Sequence, residues 1–370
     1  MDVIFVGGGV IGLSGAWRAA EQGFRVSIVD PDPGRGASWV AAGMLAPVTE
    51  ATYGEEELVR LLVAAAEAWP RFAADLETAS GISVGYRRCG TVMVAVDASD
   101  RAVVDDLLAF QATLGLAARR LSASDCRRLV PALAPGVRGG AEIPGDHQVD
   151  NRLAVQALRA ACERAGVRHV ARKVVEVQTG PDGRVAGVGL EGGRRLDAPC
   201  VVLTAGADTT GIPGLSLPPI RPVKGQVVRL RGPRPLVPCT VRGLVHGRAC
   251  YLVPRIDGSV IVGATSEERG FDRTVRAGAV RELLDDAATL VPGIDELELV
   301  ECLAGLRPGT PDNGPFVGRT DVEGLLIAAG HYRNGVLLAP LTATSLGALI
   351  RGEECPGPLA GFGSDRMVVR

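Results

Sequence analysis

The sequence predicts a mixed α/β (α+β) fold: a helix-covered parallel sheet gathered from distant parts of the chain and interrupted by β-rich segments. Three observations carry this. Residues 2–30 read strand, glycine-rich turn, helix, strand. Residues 325–350 read strand, tight loop, helix. Between them lie short β-prone runs, including a hairpin pattern around Asp257-Gly258.

Taken in order, DVIFV at 2–6 is apolar throughout, as a doubly covered parallel strand is. Residues 12–22 have the small and apolar spacing of a helix, and Gly23 ends it. FRVSIVD, 24–30, is the second strand of the unit. Two helical segments are expected between 55 and 80, a strand at 90–96, and helices at 101–116 and 122–130. Residues 151–166 form a strongly amphipathic helix, with Asn151 as its expected N-cap and Gly166 just past its end. VRHVARKVVEVQTG and PDGRVAGVGL supply strands and a turn, and CVVLTAGA, 200–207, is a second buried strand running into small residues. Tyr251 to Thr265 fold as the hairpin. The chain closes with a strand at 325–329 and a helix at about 336–350. No internal repeat is present. The expected division is discontinuous: 1–80, 144–218 and 306–370 in one domain, 81–143 and 219–305 in the other.

Composition narrows the function classes. The 370 residues are 46% apolar and 22% charged, with net charge −2 and an isoelectric point near 6.2. That balance fits a globular protein and offers no basic surface for nucleic acid. At 4% aromatic content, stacking platforms for single strands are also not expected. The eight cysteines form no CxxC pair, and the four histidines lack metal-ligand spacing, so no metal is expected. MDVIFV lacks the basic start of a signal peptide, and no run of about 18 apolar residues occurs. The expected location is the cytoplasm, without a membrane partner.

Gly7, Gly9 and Gly12 form GxGxxG between a strand and a helix. The first permits the tight turn, the second lets backbone approach a pyrophosphate, and the third allows close helix–strand packing. The helix N-terminus then points amide N–H groups at the phosphates. Asp30, 18 residues past Gly12, stands where an acid accepts from a ribose 2′-OH and repels a 2′-phosphate. The motif favours FAD or NAD over NADP without choosing between them.

Five further blocks bear on that choice: GASWVAAGMLAP (36–47), PVKGQ (222–226), YLVPR (251–255), GLRPGTPD (305–312) and AAGHYRNGVLLAP (328–340). Together, in this order, they resemble the FAD-dependent D-amino acid oxidase superfamily, and within it the bacterial glycine oxidases. The resemblance runs nearly end to end. It implies a glutathione-reductase-like fold, a Rossmann-type FAD domain and an inserted β-rich substrate domain. It also implies oxidative deamination of glycine or a similar small amine by O2, service to the thiazole of thiamine, and a homo-oligomer, often a tetramer.

By position, the resemblance places Val10 and Ile11 at the pyrophosphate turn and Asp30 and Pro31 at the ribose. It places Ala37, Ser38, Ala42, Gly43 and Met44 along the cofactor and Val174 near the adenine. His331, Tyr332, Arg333, Asn334, Gly335, Val336 and Leu337 fall at the flavin ring. Arg307, Tyr251 and Arg333 fall on substrate-binding positions. Relatives with covalent FAD carry a cysteine seven residues before the equivalent of Asp312; Gly305 stands there, so the flavin is expected to be non-covalent. Ala249 and Ser266 replace a His and a Met of the glycine oxidases, which bears on pocket size.

The residue chemistry agrees with these roles. A planar guanidinium presents two parallel donors to a carboxylate, so Arg307 is suited to fix an amino acid. The competing reading is an internal ion pair, for which Asp312 is the nearest acid in sequence. Tyr251 is a candidate second donor, or a core tyrosine. Transfer of a hydride from an amine's α-carbon to a flavin is driven by the nitrogen lone pair, so no acid–base residue is expected. The helix beginning near Val336 would turn its positive end toward the ring. Lys224 lies in a segment expected near the flavin, with no role assigned. GISVG, 81–85, matches a hydrolase nucleophile pattern, but a helix precedes it and a strand follows, the reverse of what that elbow needs.

Overall fold

The computed structural model describes residues 1–367. Two large sheets organise it. The first has six strands in the order Phe316–Arg319, Leu325–Ala329, Cys200–Leu203, Asp2–Val6, Arg25–Val29, Arg168–Val170. All its pairings are parallel except that of the edge strand Phe316–Arg319. Asp2–Val6 sits inside this sheet, and its buried face explains the unbroken apolar run.

Helices Val10–Glu21, Glu56–Ser80, Asn151–Arg164 and Gly335–Ile350 cover one face with a continuous apolar core around Trp17, Trp69 and Leu346. On the other face a three-stranded antiparallel sheet, Val174–Thr179, Val185–Leu190 and Arg195–Asp197, closes a second core.

The second large sheet has eight strands in the order Glu298–Gly309, Arg221–Arg231, Ser259–Gly263, Arg248–Pro254, Thr240–Val245, Thr91–Ala95, Gly139–Ile143, Arg119–Leu121. It is antiparallel except where Thr240–Val245 meets Thr91–Ala95. Helix Ala277–Leu290 packs on one of its faces. Among the described residues no helix is long and apolar enough to cross a membrane.

Three local expectations are corrected. The segment 55–80 is one helix, Glu56–Ser80, not two. Its buried stripe runs from Leu58 through Leu61, Ala65, Trp69 and Phe72 to Leu76, and this packing carries the helix past Pro70, which faces solvent. The helix expected at 101–116 is Ala98–Thr113, started by the Asp97 carboxylate on the Asp100 amide. The N-cap of Asn151–Arg164 is Asp150, whose carboxylate accepts from the Arg152 and Leu153 amides. Asn151 is the first helical residue, and its side chain donates to the Ser38 and Trp39 carbonyls instead.

GISVG adopts no nucleophile elbow. Ser83 is exposed behind the end of helix Glu56–Ser80 and donates to Glu77 at 2.9 Å.

Candidate functional site

One cavity of about 940 Å³ runs from the glycine turn, past the carboxyl ends of the parallel strands, onto the face of the eight-stranded sheet. Its two ends are built differently.

At the first end the wall is backbone. Gly7 has φ +105, a conformation that side chains resist, and a Cβ on Gly12 would lie 1.9 Å from the Gly7 carbonyl oxygen. Gly7, Gly9, Val10 and Ile11 line the cavity. Ser38 Oγ accepts from the Val10 amide at the start of helix Val10–Glu21. The Asp30 carboxylate accepts from the amides of Gly8 and Asp32, which holds the acid at the rim of the turn. Pro31, Ala37, Ala42, Gly43, Met44 and Val174 continue the wall. Arg255, almost fully buried, fixes the 42–44 segment by donating to the Ala42 carbonyl, Gln148 and Asn151.

At the other end the wall is side chains. Arg307 lies on Glu298–Gly309 opposite Val223. Its Nη1 donates to the Thr265 carbonyl at 3.1 Å, and a Cβ on Gly225 would lie 2.4 Å from both terminal nitrogens. Glycine there is what gives the guanidinium its place. No carboxylate pairs with Arg307 among the described residues. Asp312, the acid nearest in sequence, is held by Arg366 at 2.9 Å. Tyr251 faces the same space. Burial pushes its hydroxyl up to about 12, against the pull of Arg307 and Arg242, so it stays a protonated donor.

His331, Tyr332, Arg333, Asn334, Gly335 and Val336 also line the cavity. Tyr332 takes the left-handed φ of +46 and donates its amide to the Pro308 carbonyl, docking this loop beside Arg307. Burial drives His331 down to about 3, so it is neutral, with Nε2 3.1 Å from Thr342 Oγ1. Helix Gly335–Ile350 opens at the cavity without a side-chain cap.

Two residues expected at the cofactor lie behind the wall. Gly12 packs helix against strand, and Leu337 sits in the core with its carbonyl accepting from Trp69 Nε1. Gly225 and Val227 reach the cavity, whereas Lys224 points away from it and is fully buried. Its ammonium donates to the Thr274 carbonyl and to Asp272, pinning the segment after Ala264.

Sequence reasoning missed Glu50 and Arg242. Both line the cavity, and Arg242 Nη1 donates to Glu50 and to Thr49 Oγ1. Arg333 Nε lies 3.1 Å from the other Glu50 oxygen. Burial alone would raise the Glu50 carboxyl, but Arg242, Arg333 and, further off, Arg307 outweigh it and hold it below its ordinary value. The one available signal was an arginine amid apolar residues in TVRGLV. Also unforeseen is a clasp at the hairpin tip, where His246 Nδ1 lies 2.9 Å from Asp97 and Asp100 accepts from the His246 and Gly247 amides.

The family model for FAD dependent oxidoreductases matches residues 2–349. The chain belongs to that family. It is 35% identical to a glycine oxidase of Geobacillus kaustophilus, over 99% of this chain and 97% of that protein. It is 33% identical to a bifunctional protein ThiO/ThiG of Trichormus variabilis, matching 99% of this chain but 55% of that longer protein. The crystal structure of the Geobacillus kaustophilus glycine oxidase superposes with a TM-score of 0.91 at 34% identity, covering 100% and 99% of the two chains.

The protein is therefore an FAD-dependent oxidoreductase, and the residues present fit that cofactor. Gly7, Gly8 and Gly9 carry no Cβ where the pyrophosphate would approach the turn. The acid at Asp30 suits a ribose without a 2′-phosphate, and the uncapped start of Gly335–Ile350 lines the cavity.

Proposed function

We propose that this enzyme oxidises glycine. Glycine, O2 and water become glyoxylate, ammonia and H2O2, a reaction of the kind that feeds thiamine thiazole synthesis, with the cytoplasm as its place of work. The observation that carries the reading is Arg307, a guanidinium with no acidic partner among the described residues, in a cavity continuous with the dinucleotide turn.

Arg307 and Tyr251 hold the substrate carboxylate, Arg307 as a fork and Tyr251 as a second donor. This grip orients the α-carbon, which is the main demand the chemistry makes on the protein. When bound, FAD would supply the hydride acceptor and the route for electrons to O2. His331, kept neutral, adds no charge beside the ring. Gly305, lined up against Val40 and without a thiol, leaves the cofactor non-covalent. Acid-precipitated protein is expected to be colourless, with the flavin in the supernatant.

The test is a purified holoenzyme assayed with an amine panel. Glycine bleaches the flavin without O2 and yields one H2O2 per glycine with it. A flavin that no small amine bleaches would end this reading.

A further inference from the structure

PVKGQ, 222–226, is one of the blocks that carry the resemblance, yet of its residues only Gly225 lines the cavity. Residues two apart on a strand share a face, so Lys224 and Gln226 point together to the other side of the sheet. Both are buried, Lys224 at 0% exposure and Gln226 at 1%. A buried ammonium and a buried amide each need partners to offset their desolvation.

Their side-chain partners all lie in one segment. Lys224 Nζ donates to the Thr274 carbonyl at 2.6 Å and to Asp272 at 3.2 Å. Gln226 Nε2 donates to Glu267 at 2.6 Å, and its Oε1 accepts from the Arg276 amide at 2.7 Å. Lys224 and Glu267 also exchange backbone hydrogen bonds. Apart from that single bridge, residues 264–276 form neither helix nor strand, and most of their side chains are exposed, Phe271 at 55%. With little apolar burial of its own, this strap is held by polar anchors.

What the strap carries is the Thr265 carbonyl. Arg307 starts on strand Glu298–Gly309, crosses the neighbouring strand over Gly225 and ends on that carbonyl at 3.1 Å. Gly225 opens the passage, and Thr265 sets where the guanidinium stops. Thr265 is itself fixed through its hydroxyl, which accepts from the Gln226 amide at 2.9 Å and donates to Glu267 at 2.7 Å. The contacts thus run from Lys224 and Gln226 through the strap to Thr265, and from Thr265 to Arg307.

We propose that Lys224 and Gln226 are positioning residues for the substrate carboxylate: from behind the sheet they hold the strap whose Thr265 carbonyl keeps Arg307 in place. This deepens the glycine oxidase reading and rests on Arg307 as the grip. Loss of an anchor weakens the hold on a carboxylate, leaves FAD bound, and matters only while Arg307 is present.

The test is a double-mutant cycle on holoenzyme. Lys224→Met keeps the apolar stem and removes the ammonium. The second-order rate of anaerobic flavin reduction by glycine, which needs no saturation, is measured in wild type, Lys224→Met, Arg307→Ala and the double variant. Lys224→Met is expected to slow reduction about tenfold or more in the wild-type background and about twofold or less beside Arg307→Ala, because the two residues act as one unit. Calorimetric titration with methoxyacetate, a carboxylate without an oxidisable amine, should show Lys224→Met binding about tenfold more weakly than wild type. Flavin content and spectrum report whether each variant has folded; should Lys224→Met fail that check, Gln226→Met enters the same cycle.

Equal slowing in both backgrounds would mark general structural damage and overturn the positioning role, as would no slowing at all; either result leaves glycine oxidation standing. Arg307→Ala reduced as fast as wild type would instead remove the grip, and with it this inference. Failure of glycine to reduce the wild-type flavin would remove the amine reading beneath both.

Discussion

The two ends of the cavity are made by opposite means. The dinucleotide end is backbone shaped by glycines within six consecutive positions, Gly7 to Gly12, and closed by an acid one strand later. The arginine end is side chains delivered from four places: Glu50, Arg242, Arg307 and Arg333. A backbone site is written locally, because glycine spacing and the strand–helix frame dictate it. A side-chain site is written in strand register and in pairings across the fold. Substitutions at the first end should therefore abolish cofactor binding, and substitutions at the second should leave the flavin in place and change what it reacts with.

The largest effect is expected at Gly12. Alanine puts a carbon 1.9 Å from the Gly7 carbonyl, and neither backbone segment can yield cheaply. Gly12→Ala should purify with little or no FAD, or not fold. A yellow, fully loaded variant would break the contrast at its first end.

Gly225→Ala probes the second end. The added methyl must displace the Arg307 guanidinium, so KM for glycine should rise about 10- to 100-fold, one to two factors of ten in binding. FAD content should stay normal. An unchanged KM would mean that the position of Arg307 does not set affinity.

His331 gives a smaller effect, in stability. It is neutral in the fold down to about pH 3, whereas the unfolded chain takes up a proton near 6.5. The unfolded state binds more protons between those values, so stability is lost as pH falls from about 6.5. At pH 5 the difference is about 2 kcal/mol from this group. His331→Gln should therefore lose less stability than wild type between pH 7 and 5, read from denaturant midpoints. Parallel losses would place the acid sensitivity elsewhere. Smallest of all, Ser83→Ala should leave activity within error, since the serine is exposed and touches only Glu77 and its own turn.

Legibility in the sequence follows the same division. The βαβ opening, the Asp257-Gly258 hairpin and the closing strand and helix stand close to where their patterns put them, because each is set by neighbours a few residues away. Arg307 stood out through its small and apolar neighbours in LAGLRPGT and the family blocks, and Tyr251 through its place beside the hairpin turn and the same blocks. Glu50 and Arg242 did not: they are 192 residues apart, and nothing in EATYG or TVRGLV announces the other. The two helices expected between 55 and 80 merge into one for the reverse reason. A local helix breaker was outweighed by a buried stripe visible only once the opposing helices are in place. Asn151 and Asp150 are both good caps by type, and the demand of the Ser38 and Trp39 carbonyls for donors settles which does what.

The most direct test of the central claim is an anaerobic titration of holoenzyme with glycine, following the flavin absorbance in wild type and Arg307→Ala. Arg307 is half-buried before a substrate covers it. Loss of its charge-assisted fork to the bound carboxylate costs about 3–5 kcal/mol, so the variant should bind FAD normally yet need at least about 100-fold more glycine for half reduction. Reduction of both proteins at the same glycine concentration would contradict the account, since the amino acid would then be held by something other than Arg307.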